Sequence, residues 1–186
     1  MEHYLLYNIE TGATIQIGQG PADTVALYKS NLPPGVGIMQ IPSQAVLPLG
    51  GIDIDIIKAS YGAGINADAD KAAFAFGFNN TPRQVATYRE KEAEARAVLA
   101  DPDTPTLFLT IEADEMGITV QDLAQEVVAQ ADLWRPIGAK IEALRRKANA
   151  RLAAATNVAE IAAAAQINWH AVVAPDSVEP AEGENL

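Results

Sequence analysis

The stretch "WRPIGAKIEALRRKANARLAAAT", residues 134–156, decides the fold class of the second half of this chain. Apolar side chains recur in it at alternating steps of three and four residues, which places them on one stripe of a helix. This stripe, the seam, consists of Trp134, Ile137, Ile141, Leu144 and Ala148. Pro136 lies inside the pattern, so the helix either kinks or restarts there. We predict that the seam packs on a second copy of the chain, or on another helix of the same chain.

The same stretch holds six of the thirteen Lys and Arg residues of a chain whose net charge is −11. These basic residues lie mostly off the seam, at Arg135, Lys140, Arg145, Arg146, Lys147 and Arg151. Glu142 precedes Arg145 and Arg146 by three and four residues, a spacing that allows ion pairs along a helix. We interpret the basic residues as the solvated flank of a packed helix; docking on an acidic protein surface and phosphate binding are the alternatives. Because phosphate binding requires positive charge, the acidic chain predicts no nucleic-acid partner.

The first eighty residues differ in composition, since they hold ten of the thirteen glycines. The alternation of apolar and polar residues predicts a hairpin of two strands, Tyr4–Ile9 and Thr14–Ile17, around a turn at Gly12. A short helix is predicted within residues 20–33, and further strands at 36–42 and 52–59. In the last of these strands Asp53 and Asp55 would share the solvent face. The "GAGINA" run at 62–67 is interpreted as a glycine-rich turn, because no second series of strands follows to form a dinucleotide-binding unit.

From residue 81 onward the pattern is helical, and capping residues with Pro and Gly mark the helix ends. One helix is predicted between Thr81 and Asp101, and a short helix is predicted to end at Gly117. Thr119, with Asp122 in the capping-box position, is predicted to start the long helix. The last helix is predicted from Asn157 to about Trp169. The predicted fold is α+β: a small β-rich attachment domain (1–80), then a helical hairpin or short coiled-coil region (81–170). Residues 171–186 are predicted to be an acidic, flexible tail.

No motif in the chain predicts catalysis, a cofactor or a metal. Asn66, Asp68 and Asp70 alternate like the start of a calcium loop, but Lys71 and Gly77 occupy the positions that require Gly and Glu. The chain has no cysteine, and its two histidines lie near the termini without ligand spacing. We therefore expect no enzyme activity, and, with no run of eighteen apolar residues, no membrane insertion.

Residues 107–131, "LFLTIEADEMGITVQDLAQEVVAQA", follow the pattern of a helix-turn-helix. The second helix of that motif would read the DNA. Here it carries Asp122, Glu126 and Asp132 and has no basic residue before Arg135. Phosphate would repel such a face, so DNA binding is not predicted.

Residues Tyr88 to Trp169 resemble a helical segment of small bacteriophage tail proteins, encoded among tail-fibre and tail-fibre-assembly genes. The matching features are "YREKEAEA" at 88–95, an Asp-Pro break followed by "TP", "GIT" before "LA", and "AAT" before a closing Trp. The resemblance implies a role in the fibre or baseplate region, with other tail proteins as partners, and no catalytic residue. It implies a location in the virion tail, and in the host cytoplasm during assembly. An assembly chaperone absent from the mature particle is the alternative, and the seam predicts a homo-oligomer.

The interpretation of the basic residues predicts the outcome of a gel shift. Replacing Arg145, Arg146 and Lys147 together with Gln should leave folding nearly intact, because exposed ion pairs contribute about 0–1 kcal/mol each. Neither the wild-type chain nor the triple variant should shift duplex DNA at low salt. Micromolar binding that falls steeply with salt and vanishes in the variant would contradict this interpretation.

Overall fold

The computed structural model describes residues 1–76 and 81–172, and within them the fold is α+β, as predicted. The strands are β1 (Glu2–Asn8), β2 (Thr14–Gly20) and β3 (Val36–Ile41). The α-helices are α1 (Thr24–Lys29), α2 (Ile54–Ala75), α3 (Pro82–Ala100), α4 (Phe108–Met116), α5 (Val120–Ala154) and α6 (Val158–Ala164). Short 3-10 turns lie at Ser43–Ala45 and Trp169–Val172.

The three strands form an antiparallel sheet in the order β2-β1-β3, and the predicted hairpin is confirmed. The central residue Leu5 faces Ile17 on one side and Met39 on the other, so these three side chains share one face of the sheet. Leu5 and Met39 are buried in the core, with Ile17 packed against it. The alternation of side chains along strands therefore places the core on that face.

Two glycines in the sheet leave room for tyrosine rings on the neighbouring strand. Gly18 pairs with Tyr4, and Gly37 pairs with Tyr7. A Cβ on Gly18 would lie 2.3 Å from the Tyr4 ring, and one on Gly37 would lie 2.4 Å from the Tyr7 ring. Any larger residue would displace these rings. On the face opposite Leu5, Tyr4 also stacks on Tyr28 of α1, with ring centroids 5.9 Å apart.

Helix α2 corrects two predictions, because a strand was expected at 52–59 and a turn at 62–67. Asp53 and Asp55 do not share a strand face. Instead, the carboxylate of Asp53 accepts hydrogen bonds from the N–H groups of Asp55 and Ile56, at 3.0 and 3.2 Å, and starts the helix. A stripe of buried or half-buried residues follows at helical spacing: Ile57, Tyr61, Ile65, Ala69 and Ala72. Burial of this stripe outweighs the strand propensity of isoleucine, which is a weak preference that tertiary context overrides.

The helix ends after residue 81 agree with most of the predictions. Thr81 caps α3, with Gln84 completing a capping box, and Gly117 ends α4 in the left-handed region at φ 69°. The hydroxyl of Thr119 accepts from the N–H of Asp122 at the start of α5, 3.0 Å away. Helix α5 continues through Pro136 without restarting. The last helix starts at the predicted Asn157 cap but ends at Ala164, and Trp169 begins a separate 3-10 turn.

The chain forms two compact units. The first unit comprises Met1–Lys71 and Glu142–Ala171, and the second contains Ala72–Ile141. The first unit thus takes residues from both of the predicted segments, 1–80 and 81–170. Its core explains why: Leu5 of β1, Leu152 of α5 and Ile161 of α6 belong to the same buried cluster. Residues 77–80 and residues 173–186 of the predicted tail lie outside the described residues.

The second unit is a packing of α3, α4 and the first part of α5. Its buried cluster consists of Ala95, Val98, Leu109, Ala113, Leu123 and Ala124. Ion pairs lie around this cluster: Lys91 of α3 with Glu112 of α4, and Arg96 of α3 with Asp132 of α5. Arg135 of α5 also pairs with Glu92 of α3. Each of these pairs joins two different helices.

The side chain of Glu94 in α3 caps the first turn of α4. Its carboxylate accepts hydrogen bonds from the backbone N–H groups of Leu107, Phe108 and Leu109, at 3.1, 3.3 and 3.0 Å. The first N–H groups of a helix have no partner within the helix, so a carboxylate from another helix stabilises them and complements the helix dipole. Partial burial by itself raises the pKa of Glu94, but the three N–H donors outweigh it and lower the pKa below its ordinary value of 4.5.

The capping by Glu94 predicts a pH-dependent contribution to stability. Since the folded-state pKa is lowered, the contribution is fully present above pH 4.5 and is lost as the pH falls through the folded-state value. The substitution Glu94→Gln should lower the free energy of unfolding by about 1–2 kcal/mol at pH 7. In urea titrations followed by circular dichroism, the difference between wild type and variant should shrink below about pH 4.

Glu90→Gln is the matched control, because Glu90 is exposed one turn earlier on α3 and its side chain makes no hydrogen bond within the described part of the chain. It should change the free energy of unfolding by less than about 0.5 kcal/mol. Equal effects of the two substitutions at pH 7 would contradict the capping role.

Candidate functional site

The structure divides the five seam residues between exposed and buried positions. Trp134 is 37% exposed, and Ile137 and Leu144 are half-buried. Ile141 is only 6% exposed, and Ala148 is 4% exposed and belongs to the core of the first unit. Ala148 therefore packs within the chain, which agrees with the intramolecular alternative for this end of the seam. Self-association through the Trp134 end stays a prediction.

The helix that packs on the last part of α5 is α2. Gly62 of α2 lies against Leu152, where a Cβ would be 3.5 Å from the leucine side chain. The side-chain oxygen of Asn66 accepts hydrogen bonds from Arg145 and Asn149 of α5, both at 3.0 Å. From one contact to the next, the residue number rises in α2 and falls in α5, so the two helices run antiparallel in the first unit. A Cβ at position 62 would make an ordinary van der Waals contact, so the helices are in contact at Gly62 but their packing does not require a glycine there.

The basic residues of α5 divide into a paired and an exposed group. Arg145 donates two hydrogen bonds to the Glu142 carboxylate, each 2.7 Å long, so the predicted pair of Glu142 with Arg145 is confirmed. These hydrogen bonds hold the pKa of Glu142 below its ordinary value. Lys147 and Arg151 are exposed and form no ion pair with any residue in 1–76 or 81–172. They are the basic side chains most available to a partner.

Helix α4 carries apolar residues on both of its sides. Leu109 and Ala113 face the core of the second unit and are almost completely buried. On the opposite side Leu107 is 63% exposed and Ile111 is 58% exposed, with Phe108 beside them. The sequence analysis did not predict this surface. The signal for it is the run "LFLTI" at 107–111, which has more apolar residues than a helix with one buried side needs.

A groove of about 490 Å³ lies in the first unit, beside the end of β3. Gln40, Ser60, Tyr61, Ile65 and Asp68 are among the residues that line it. The hydroxyl of Tyr61 donates to the carbonyl oxygen of Gln40 at 3.0 Å. Burial, with a smaller effect of Tyr7, raises the pKa of Tyr61 to about 12. The phenol is therefore protonated near neutral pH and acts as a hydrogen-bond donor rather than as a base.

The acidic positions tested for a calcium loop lie on α2 and have other contacts. Asn66 binds α5, as described above, and Asp68 forms an ion pair with Lys71 at 2.9 Å. Within residues 1–76 and 81–172 no three His, Asp or Glu side chains are grouped so that they could hold a metal ion. None of the helices described is both long enough and apolar enough to cross a membrane.

Comparisons of the chain with protein-family models, with curated proteins and with solved structures gave no match.

The burial of Ile141 predicts a large loss of stability on substitution. Ile141→Asp removes a buried apolar side chain and places a carboxylate where water is excluded, so it should lower the free energy of unfolding by about 3 kcal/mol or more. Leu133→Asp is the matched control on the same helix, because Leu133 is 60% exposed. Thermal unfolding should show a much lower midpoint for Ile141→Asp alone. Equal midpoints for the two variants would show that Ile141 is not buried in solution.

Proposed function

We propose that this protein is a non-enzymatic structural or adaptor component of a bacteriophage tail, in the fibre or baseplate region. It binds other tail proteins and copies of itself. The observation that carries the proposal is the exposure of large apolar side chains on the helices of the second unit. Ten such side chains are exposed in the part of the second unit that the structure describes: Phe74, Val85, Tyr88, Leu99, Leu107, Phe108, Ile111, Met116, Leu133 and Trp134. All except Phe74 and Val85 lie within Tyr88 to Trp169, the segment that resembles small phage tail proteins.

The exposure of apolar side chains favours the binding of a partner protein. Exposed apolar side chains are ordinary when scattered, but grouped ones mark surfaces that other proteins cover. Leu107, Phe108 and Ile111 are such a group, because they lie within five residues and on one side of α4. The buried side of the same helix holds it in the second unit. The outer side is therefore rigidly presented, which lowers the entropic cost of binding a partner.

The charge of the chain supports a protein partner rather than a nucleic acid. The 24 Asp and Glu residues outnumber the 13 Lys and Arg residues, so the field of the chain repels phosphate. Arg96, Arg135 and Arg145 are engaged in ion pairs within the chain. We place the protein in the virion tail, and in the host cytoplasm during assembly.

The second candidate function is a tail-fibre assembly chaperone that is absent from the mature particle. The excess of acidic over basic residues favours this candidate, since residues 173–186 alone carry four carboxylate side chains. An acidic segment can shield a basic patch on a fibre protein until the fibre is assembled. Both candidates act through protein contacts, and they differ in whether the chain stays with the particle.

Mass spectrometry of purified particles separates the two candidates. The phage that encodes the chain is banded on a density gradient, and the chain is quantified beside a known tail protein and a known capsid protein. A structural component should remain at a constant ratio to the tail protein after a high-salt wash and a second gradient. Abundance in the infected-cell lysate with absence from washed particles would favour the chaperone. Absence from both, or a chain that causes substrate turnover abolished by one carboxylate substitution, would overturn the proposal.

A further inference from the structure

We propose that copies of this chain associate head to tail, with the outer side of α4 in one copy docked on the basic outer side of α5 in the next. The α4 face consists of Leu107, Phe108, Ile111, Asp114 and Glu115. The α5 face consists of Arg146, Lys147 and Arg151, with Ala143, Ala150 and Ala154 between and beside them. The inference rests on the proposed role as an oligomeric component and names the surfaces through which the copies bind.

The α4 face combines apolar contact area with negative charge. Leu107, Phe108 and Ile111 are exposed, as are Asp114 and Glu115. The two carboxylates follow Ile111 by three and four residues, so they lie one turn further along the same side of the helix. Burying the apolar group would be favourable by about 25 cal/mol for each Å² removed from water. The carboxylates restrict the partner to a surface of positive charge.

The α5 face has the complementary charge. Ala148 and Leu152 point into the core of the first unit, which leaves Arg146, Lys147 and Arg151 exposed on the other sides of the helix. Lys147 and Arg151 are four residues apart and adjacent on the surface. The exposed alanines present short side chains, so a partner helix can approach closely while the long stems of Lys and Arg cover its apolar residues.

The distribution of charge along the chain selects a second copy as the occupant. Residues 1–71 carry three basic and seven acidic side chains, and residues 72–141 carry six and eleven. Residues 142–171 carry four basic and two acidic ones, which makes this segment the positive exception. A copy that approaches the acidic α4 face is attracted most strongly where it presents this positive segment of α5. The same complementarity orients the two molecules.

The contact is heterologous, because it joins two different surfaces. Each copy then has one α4 face and one α5 face, so the contact can repeat from copy to copy. Such repetition closes into a ring or continues as a filament, according to the rotation between neighbours. An isologous pair would stop at two copies instead. This difference makes the proposal testable by mixing two variants.

The experiment measures mass by sedimentation velocity over a range of protein concentrations. The α4 variant is Leu107→Asp with Ile111→Asp, and the α5 variant is Lys147→Glu with Arg151→Glu. All four residues are exposed, so both variants should retain the wild-type circular dichroism spectrum. The wild-type chain should grow beyond dimers as its concentration rises. Each variant alone should stay monomeric over the same range, with self-association weakened roughly tenfold or more.

An equal mixture of the two variants gives the decisive result. The α4 variant keeps its α5 face and the α5 variant keeps its α4 face, so the mixture should form dimers and nothing larger. Lys29→Glu with Arg89→Glu is the control, since it makes the same change of charge at two other exposed positions. This control should assemble as the wild type does.

Three outcomes would overturn the inference: a wild-type chain that is monomeric at every concentration, variants that still assemble alone, or a mixture that fails to form dimers. The proposed function has a separate readout. A chain that is monomeric in solution but is found in washed particles would retain the tail role and lose this contact. A chain that assembles as described but is absent from particles would retain the contact and lose the structural role.

Discussion

The structure depends on one helix that supplies side chains to two cores. The first part of α5 contributes Leu123 and Ala124 to the cluster with α3 and α4. The last part contributes Ala148 and Leu152 to the cluster with the sheet, α2 and α6. Pro136 lies between these two parts of α5, so each part is held by the core of its own unit.

Apolar burial and backbone capping, rather than ion pairs, account for most of the stability of the second unit. The pairs of Arg96 with Asp132 and of Arg135 with Glu92 involve side chains that are 24–58% exposed to water. Such pairs contribute about 0–1 kcal/mol each, whereas full burial of one leucine contributes about 1.5–3 kcal/mol. These two ion pairs both join α3 to α5. We expect Glu94 to have a larger effect than these pairs, because it satisfies three backbone donors of α4 at once.

The surfaces proposed for binding follow from what the two cores leave uncovered. Helix α4 has more apolar residues than its core can bury, and α5 has basic residues where its core-facing stripe does not reach. Sequence reasoning emphasised the seam, because a regular apolar stripe is the strongest periodic signal in the chain. The fold uses Ala148 of that stripe internally. A partner is therefore expected at the surfaces of α4 and α5 that the internal packing leaves exposed.

The sequence by itself determined the elements whose ends are set by local chemistry. Thr81, Gly117, Thr119 and Asn157 act through hydrogen bonds or dihedral angles of neighbouring residues, so their signals are readable without the fold. The hairpin of β1 and β2 is local for the same reason. The α+β class and the Glu142–Arg145 pair likewise needed only short-range spacing.

Only the tertiary structure decided the nature of α2 and the membership of the two cores. The isoleucines and glycines of α2 favour strand and turn locally. The helix forms because Ile57 and Ile65 are buried in the first unit, where Gly62 lies against Leu152 of α5. These contacts join residues about ninety positions apart. No local pattern encodes them, since the free energy of burial depends on which surfaces meet and not on the residues that are adjacent in the chain.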